Sequence, residues 1–237
     1  MLLVIIPTYN EKENIEELVR LILDLKNNPH VLVVDDNSPD GTGKIADRIS
    51  MTHPDRVHVI HRSGKLGLGS ACLHGFKYAL NHGYDLIMTM DADFSHHPKY
   101  IPEMVRRAQD FPIVIGSRYV PGGGIRNWGI LRLINSRSAN ILARAMLRLK
   151  AHDCTSGFRI FRKEVLLALD MDSIYSSGYA YQSEILYRCQ LRGYHASEVP
   201  IIFENRRRGA SKISRKEIFR AALLLFKFWI KPLKIKK

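Results

Sequence analysis

Short apolar runs alternate along this chain with stretches in which apolar residues recur at three- and four-residue intervals. Residues 2–6, 31–34, 57–60, 86–90 and 113–115 are apolar runs of strand length. Between them, Ile15/Leu18/Val19/Ile22 and Ile101/Met104/Val105/Ala108 carry the spacing of one helix face, and Gly64-Lys65-Leu66-Gly67-Leu68-Gly69 opens a helix to about Asn81. The alternation predicts an α/β fold with a mostly parallel, doubly wound central sheet and helices on both faces. Ligands of such sheets sit beyond the carboxyl ends of the strands.

Farther along, Leu131/Ile134/Ser138/Ile141/Leu142/Ala145 predict a helix with a buried apolar face. Arg132, Ser136 and Asn140 repeat every four residues and form a polar stripe on a different face. Pro121-Gly122-Gly123-Gly124 reads as a mobile loop, and Asp153-Cys154-Thr155-Ser156-Gly157-Phe158-Arg159-Ile160-Phe161 as a turn entering a strand. Tyr179-Ala180-Tyr181-Gln182-Ser183-Glu184 opens another helix, reaching about Arg192. Val199-Pro200-Ile201-Ile202-Phe203 reads as an edge strand, because Pro200 has no N–H to give a ladder.

From Ser214 to about Ile230 a C-terminal amphipathic helix is expected. Lys216, Arg220, Lys227 and Lys231 fall within about 60° of one another on its wheel, and Ile218, Ala221, Ala222, Leu224, Leu225, Phe228 and Trp229 fill most of the rest. Interrupted by charge, it is too short to cross a bilayer. It reads as an interfacial helix on an anionic leaflet, its charge extended by Lys234, Lys236 and Lys237. The chain thus divides into a catalytic region, 1–213, and a basic tail, 214–237; packing of the helix on its own domain or on a partner helix is the alternative.

The strand ends carry the candidate chemistry. The run 86–90 delivers Asp91-Ala92-Asp93-Phe94-Ser95-His96-His97-Pro98. Two carboxylates beyond a buried strand need a divalent cation, hydrogen-bond donors or water, and hard oxygen ligands select Mg²⁺ or Mn²⁺ over zinc. An Asp-rich turn capping the next helix is the competing explanation. Pro7, Tyr9 and Glu11 follow the first strand, and Asp35-Asp36-Asn37-Ser38-Pro39-Asp40-Gly41-Thr42 the second. The glycine run at 64–69 lacks a Walker Lys-Ser/Thr and the dinucleotide spacing. Gly116-Ser117-Arg118-Tyr119 puts Arg118 at the same edge, either to grip a phosphate through paired hydrogen bonds or as a surface arginine. Glu204-Asn205-Arg206-Arg207-Arg208-Gly209-Ala210-Ser211-Lys212 is a basic loop able to close over phosphates. His96 and His97 are neighbours without a third His or Cys nearby, and read as turn or supporting residues.

A formal net charge of +13 over 237 residues calls for an anionic partner: a phosphorylated substrate, an anionic membrane or nucleic acid. Nucleic acid is disfavoured, because bare carboxylates at a strand end repel a phosphate backbone. Cys72, Cys154 and Cys189 are odd in number and have no CxxC spacing, which suggests neither disulfides nor zinc and fits a reducing, cytoplasmic compartment. The apolar N-terminus stops at Pro7, far short of a signal or membrane-spanning segment.

Taken in order, Pro7-Thr8-Tyr9-Asn10-Glu11, the Asp35 to Thr42 turn, Gly67-Leu68-Gly69, Asp91 to Pro98, Gly116 to Tyr119, Ser156-Gly157-Phe158-Arg159 and Arg206 to Lys212 resemble the family 2 glycosyltransferases of the GT-A fold. Within that family they are similar to the dolichol- or polyprenol-phosphate mannose synthases. The resemblance implies a metal-dependent, inverting transfer of mannose from GDP-mannose to a dolichyl or polyprenyl monophosphate. It implies that Pro7, Tyr9, Glu11, Val34 and Asp36 hold the guanosine, and that Asp91, Ala92 and Asp93 lie beneath the ribose and diphosphate. Asp93 and Ser95 match the positions that bind Mg²⁺ or Mn²⁺, although some relatives have Gln where this chain has Ser95. Arg118, Arg132 and Ser136 match groups that hold the acceptor phosphate, and Gln182, Arg206 and Lys212 a region that closes on the donor. It further implies a peripheral protein on the cytoplasmic face of an anionic membrane, with a membrane-protein partner compatible.

A phosphate acceptor is already an anion and can attack the anomeric carbon without a general base. UDP-glucose with the same lipid is one alternative; a saccharide acceptor is another. A saccharide would need a base, for which Glu184 or Asp153 is the candidate, and the expectation for a lipid-phosphate transferase is that amides at both positions leave it largely active.

Overall fold

Residues 1–174, 180–205 and 215–233 are described by a computed structural model, with side chains for all of these except 215–221. The apolar runs become strands β1 (Leu2–Thr8), β2 (His30–Asp35), β3 (Val57–His61), β4 (Leu86–Thr89) and β5 (Ile113–Ser117). Helices α1 (Ile15–Leu23), α2 (Thr42–Thr52), α3 (Leu68–Asn81) and α4 (Ile101–Arg107) carry the chain back between them. Then come β6 (Gly124–Arg126), α5 (Ile130–Leu147), β7 (Arg159–Arg162), α6 (Lys163–Leu167), α7 (Ala180–Leu191), β8 (Ala196–Pro200), β9 (Ile202–Glu204) and α8 (Arg215–Ile230).

The main sheet has the order β3-β2-β1-β4-β7-β5-β8. Neighbours are parallel except at β7, which runs antiparallel to both β4 and β5. Periodicity marks β7 as a strand and leaves its place and direction open. Because it runs backwards, the turn before it, residues 153–158, arrives at the edge where β4 and β5 end.

Both faces of the sheet are covered, which is why its strands are continuous apolar runs rather than alternating ones. Leu3 and Ile5 of β1 pack with Ala71, Cys72 and Phe76 of α3. Val4 and Ile6 face the other way, onto Ile15, Leu18, Val19 and Ile22 of α1. A Cβ on Gly75 would lie 2.6 Å from Ile5 Cγ2, so α3 sits this close only because residue 75 has no side chain. Gly75→Ala is expected to cost about 1–3 kcal/mol by overpacking. Urea unfolding should show it as a lowered midpoint at constant slope; an unchanged midpoint would contradict the packing.

At the opposite edge of the sheet His30 Nδ1 lies 3.0 Å from Tyr84 Oη, and the His30 and His58 rings are 6.3 Å apart. Burial lowers both pKa values, and the positive charge of His58 lowers His30 further. Folding therefore favours the neutral rings: stability is complete above the unfolded value of about 6.5 and declines as pH falls below it. The melting temperature is expected to drop between pH 7.5 and 5.5, and His58→Gln to flatten that drop.

Three expectations need correction. Part of the 121–124 loop is strand: Gly124 begins β6, which pairs in parallel with β9 to form a second, two-stranded sheet. The edge strand at 199–203 is split between sheets, β8 ending at Pro200 on the free edge beside β5 before the chain crosses to β9. The third correction is larger. The apolar face of α5 points outward: Leu131, Ile134 and Ile141 are 79%, 52% and 65% exposed, while Asn140, Ala143 and Leu147 are buried. The polar stripe turns inward because its groups find partners there. Ser136 Oγ meets Tyr119 Oη at 2.8 Å, and Asn140 binds His152 O and, at 2.8 Å, Cys154 N.

α8 packs beside α5 and α7, burying Leu225 and Phe228, with Phe228 against Tyr187. Leu223, Phe226, Trp229 and Ile230 stay exposed, as do Lys227 and Lys231. No described helix is long and apolar enough to cross a membrane.

Candidate active site at the carboxyl edge of the sheet

The loops after β1 and β2 are knitted together by their own side chains. Thr8 Oγ1 donates to Asp35 Oδ1 at 2.8 Å, and Ser38 donates its N–H and hydroxyl to the same carboxylate at 2.9 and 2.6 Å. Asn10 N–H reaches Ser38 Oγ at 3.0 Å, and Glu11 N–H reaches Thr42 Oγ1 at 2.8 Å. Asn10 and Asn37 both take left-handed backbone, φ 57° and 56°, which a short polar side chain tolerates best after glycine. Asp35 is thereby consumed in building the loops.

Asp36, predicted on the donor side, is buried and accepts from Arg62 Nη1 and, at 2.9 Å, from Gly67 N–H. Arg62 also donates to Ser70 Oγ at 2.7 Å. This pair ties the glycine run to the end of β2. The sequence reading missed Arg62, although it follows β3 directly and the strand-end rule that picked out Asp36 and Arg118 would have found it. Pro7, Tyr9 and Glu11 are half-buried at the same edge, with Lys65 Nζ 4.3 Å from the Tyr9 ring centroid. The Val34 side chain is wholly buried in the core, so what it can offer a ligand there is backbone.

Beyond β4 the two carboxylates differ. The Asp91 side chain is 30% exposed, whereas Asp93 as a residue is 6% exposed and its Oδ1 accepts from Ser95 N–H at 3.1 Å and Ser95 Oγ at 2.5 Å. The turn is closed by Phe94 at φ 62°, a bulky residue in the left-handed region, buried with Ala92 in the core. Such strain persists only where surrounding packing over-determines it. Asp91 N–H donates to His96 Nδ1 at 3.0 Å. His96 is buried, stacked on Phe158 with centroids 5.1 Å apart, and burial lowers its pKa. With Nδ1 accepting, the ring is neutral with its proton on Nε2; it orients the backbone of Asp91. His97 Nδ1 accepts from Lys99 N–H and starts the next helical turn. Both histidines thus support the turn, as expected.

The donor set fits a hard cation. Among the described residues no three His, Cys, Asp or Glu side chains come close enough to form a protein-only metal cage. Asp93, Asp91 and the Ser95 hydroxyl offer oxygen only, the pattern of Mg²⁺ or Mn²⁺ completing its shell from phosphates and water.

Arg118 is not a surface arginine. Its Nε and Nη2 each donate at 2.7 Å to the carboxylate of Asp153, which is 0% exposed, and Nη2 also reaches Thr155 Oγ1 at 2.8 Å. Burial alone would raise the Asp153 pKa; the bonds and charge of Arg118 reverse this and leave it lowered. Glu184 is 1% exposed and held by Arg188 Nε at 2.8 Å. Both candidate bases are therefore buried ion-pair partners, and the expectation that an amide at Asp153 is innocuous fails: it would leave Arg118 uncompensated.

The Arg118 guanidinium also lies over the rings of Tyr119 and Phe203, 5.2 and 5.3 Å from their centroids. Trp128 meets Phe203 edge-on at 5.3 Å, and Arg132 stacks on Trp128 at 3.9 Å while donating to Asn205 Oδ1 at 2.8 Å. Arg118, Arg132 and Ser136 are thus gathered around Tyr119, Trp128 and Phe203. No periodicity marks those three rings, since they come from a turn, a loop and the second sheet. Gln182 meets Asp91 across Gly157, where a Cβ would lie 3.3 Å from Gln182 Nε2 and 3.5 Å from Asp91 Oδ1. Gly157→Ala is expected to leave the fold intact and slow turnover about tenfold by pushing the Gln182 amide away from its place beside Asp91; wild-type turnover would show that the crowding is absorbed. Arg206 and Lys212 lie outside the described residues.

The chain is 45% identical over 217 residues to polyprenol monophosphomannose synthase of Mycolicibacterium smegmatis, covering 91% of this chain and 82% of that one. It is 43% identical over 212 residues to undecaprenyl-phosphate mannosyltransferase of Micrococcus luteus, covering 90% and 87%. Its fold is similar to that of glucosyl-3-phosphoglycerate synthase from Mycobacterium tuberculosis, crystallised with Mn²⁺, UDP and phosphoglyceric acid, at TM-score 0.70 and 18% identity over 99% of this chain and 80% of that one. The same enzyme crystallised with Mg²⁺ and UDP gives TM-score 0.69 at 18% identity, covering 97% and 79%. The family model for glycosyl transferase family 2 matches residues 3–169, and with that span and those identities the chain belongs to this glycosyltransferase family.

Proposed function

We propose that the protein transfers mannose from GDP-mannose to a polyprenyl or dolichyl monophosphate, with inversion, giving a β-linked lipid phosphomannose. The observation that carries this reading is the inside-out helix α5. It turns Ser136 onto Tyr119 and Arg132 onto Trp128, rings of the cluster around Arg118, and sends Leu131, Ile134 and Ile141 outward; α8, which packs on α5, exposes Phe226, Trp229 and Ile230. Phosphate-binding groups and an apolar surface on opposite faces of one helix suit a substrate with a phosphate head and a hydrocarbon tail.

In this reading Pro7, Tyr9, Glu11, Asp36 and the backbone at Val34 hold the nucleoside, and Asp91 and Ala92 lie under the ribose and diphosphate. Asp93, with Ser95, holds Mg²⁺ or Mn²⁺, which when bound offsets charge on the departing diphosphate. Arg132 holds the acceptor phosphate beside the sugar, and Arg118, whose Nε and Nη2 are taken by Asp153, adds its charge and Nη1, an electrostatic and positioning role. Gln182, Arg206 and Lys212 belong to the region that closes on the donor. The acceptor needs no base, which agrees with Asp153 and Glu184 both being committed to arginines. That commitment weighs against a saccharide acceptor. UDP-glucose remains the competing donor.

Residues 1–213 form the catalytic region and 214–237 the tail, which docks through Leu225 and Phe228 and, with α5, rests on the cytoplasmic face of an anionic membrane. Point charges test this better than truncation, since removing α8 would uncover Tyr187. Leu131→Glu with Trp229→Glu is expected to weaken binding to anionic vesicles strongly and leave GDP affinity unchanged; equal vesicle binding would end the membrane assignment. The reaction itself is tested with radiolabelled GDP-mannose or UDP-glucose, Mg²⁺ and a polyprenyl phosphate. Label from GDP-mannose should enter the organic phase, and label from UDP-glucose alone would replace the donor.

A further inference from the structure

Arg159, the last residue of the Ser156-Gly157-Phe158-Arg159 run, has no part in the site as described. It opens β7 opposite Thr89 of β4 and Ile115 of β5, and it is 0% exposed. Cys154, Tyr181 and Cys189 surround it and offer no negative charge: burial pushes both thiols up to about 12 and the Tyr181 hydroxyl well above its ordinary range. The nearby carboxylate, Asp153, is bound on both oxygens by Arg118. Arg159 Nε finds no partner among the described residues. A guanidinium in such a place is costly, and an apolar side chain would pack there without that cost.

Its charge is spent on two carbonyls. Nη1 donates to Gln182 O at 2.6 Å and Nη2 to Cys154 O at 2.7 Å, both short, charge-assisted bonds. Ser183 Oγ adds a bond to Cys154 O at 3.2 Å. One of these carbonyls lies in the first turn of α7, beside the Gln182 side chain. The other lies in the turn that carries Asp153, Thr155 and Gly157. We propose that Arg159 is a positioning residue that locks these two segments together from beneath, holding the Arg118–Asp153 pair in register with Gln182 and Asp91 across Gly157.

The consequence is that folding and turnover should separate. Arg159→Met removes a buried charge and keeps the volume, so the variant is expected to melt at or above the wild-type temperature. Hydrogen exchange, measured without substrate, should rise together in residues 153–157 and 181–185 and stay unchanged in β1, β2 and β4. Transfer should fall about tenfold to a hundredfold in kcat, with the KM for GDP-mannose little altered. Should Arg159→Met fail to fold, Arg159→Lys decides: it keeps the charge but cannot fork to both carbonyls, so a folded variant about tenfold slower is expected. Wild-type kcat in either folded variant, or exchange that rises evenly over the whole sheet with activity lost in proportion to stability, would overturn the proposal. The kinetic arm rests on the proposed mannose transfer and the exchange arm does not. A wild-type protein inactive on GDP-mannose and polyprenyl phosphate would defeat the functional reading and leave Arg159 to be judged by exchange.

Discussion

Asp93→Asn is expected to leave a folded protein whose mannose transfer is slower by on the order of 10²–10³-fold, the usual loss when a group that stabilises developing charge is removed. The amide still accepts from Ser95 and keeps the shape of the turn, so the Phe94 backbone has no reason to relax. What it lacks is the negative charge that attracts a hard cation. Ser95→Ala should cost less than tenfold, because its hydroxyl is directed at Asp93. Product formation measured across a Mg²⁺ titration separates the effects. A substantial recovery of Asp93→Asn at high Mg²⁺ would mean that the charge serves affinity alone, and wild-type turnover at ordinary Mg²⁺ would move the metal site elsewhere.

Asp153→Asn is expected to destabilise the fold by about 3–5 kcal/mol, because it leaves the buried guanidinium of Arg118 without its counter-charge. Activity should fall with it, through Arg118 and not through loss of a base. The double variant Arg118→Met/Asp153→Leu separates these causes: it should regain much of the stability of the wild type while remaining inactive. A stable, inactive Asp153→Asn single variant would instead revive Asp153 as a base. The same pair gives an acid limit. Since the folded pKa of Asp153 is lowered, the stability it contributes is complete above the unfolded value of about 4 and is lost as pH falls through the folded one. The slope of stability below pH 4 should therefore be shallower in the double variant.

Local pattern located the strands because each is buried on both faces, and a run of apolar residues bounded by Pro, Gly or Asp has few other uses. It located Tyr9, Glu11, Asp36, Asp91, Asp93 and Arg118 for the same reason, since each follows a strand in chain order. It misjudged α5, because amphipathic spacing gives the period of a helix and says nothing about which face meets the protein. Leu131 and Ile134 turned outward once Ser136 and Asn140 had found Tyr119, His152 and Cys154 inside.

The sequence by itself determined the α/β class, the carboxyl edge of the sheet as the candidate site and the acidic and basic residues that reach it, all consequences of short-range periodicity and chain order. Only the tertiary structure decided that β7 runs backwards between β4 and β5, and that Asp153 and Glu184 are buried in ion pairs with Arg118 and Arg188. It alone decided that Arg62 holds Asp36 and that Arg159 bridges two segments. Apart from the i,i+4 pair of Glu184 with Arg188, these rest on pairings between residues 23 to 35 positions apart or between strands distant in sequence, chosen by which buried charge must be compensated by which neighbour. No local pattern carries that choice, because the cost that enforces it exists only once the chain has closed around the charges.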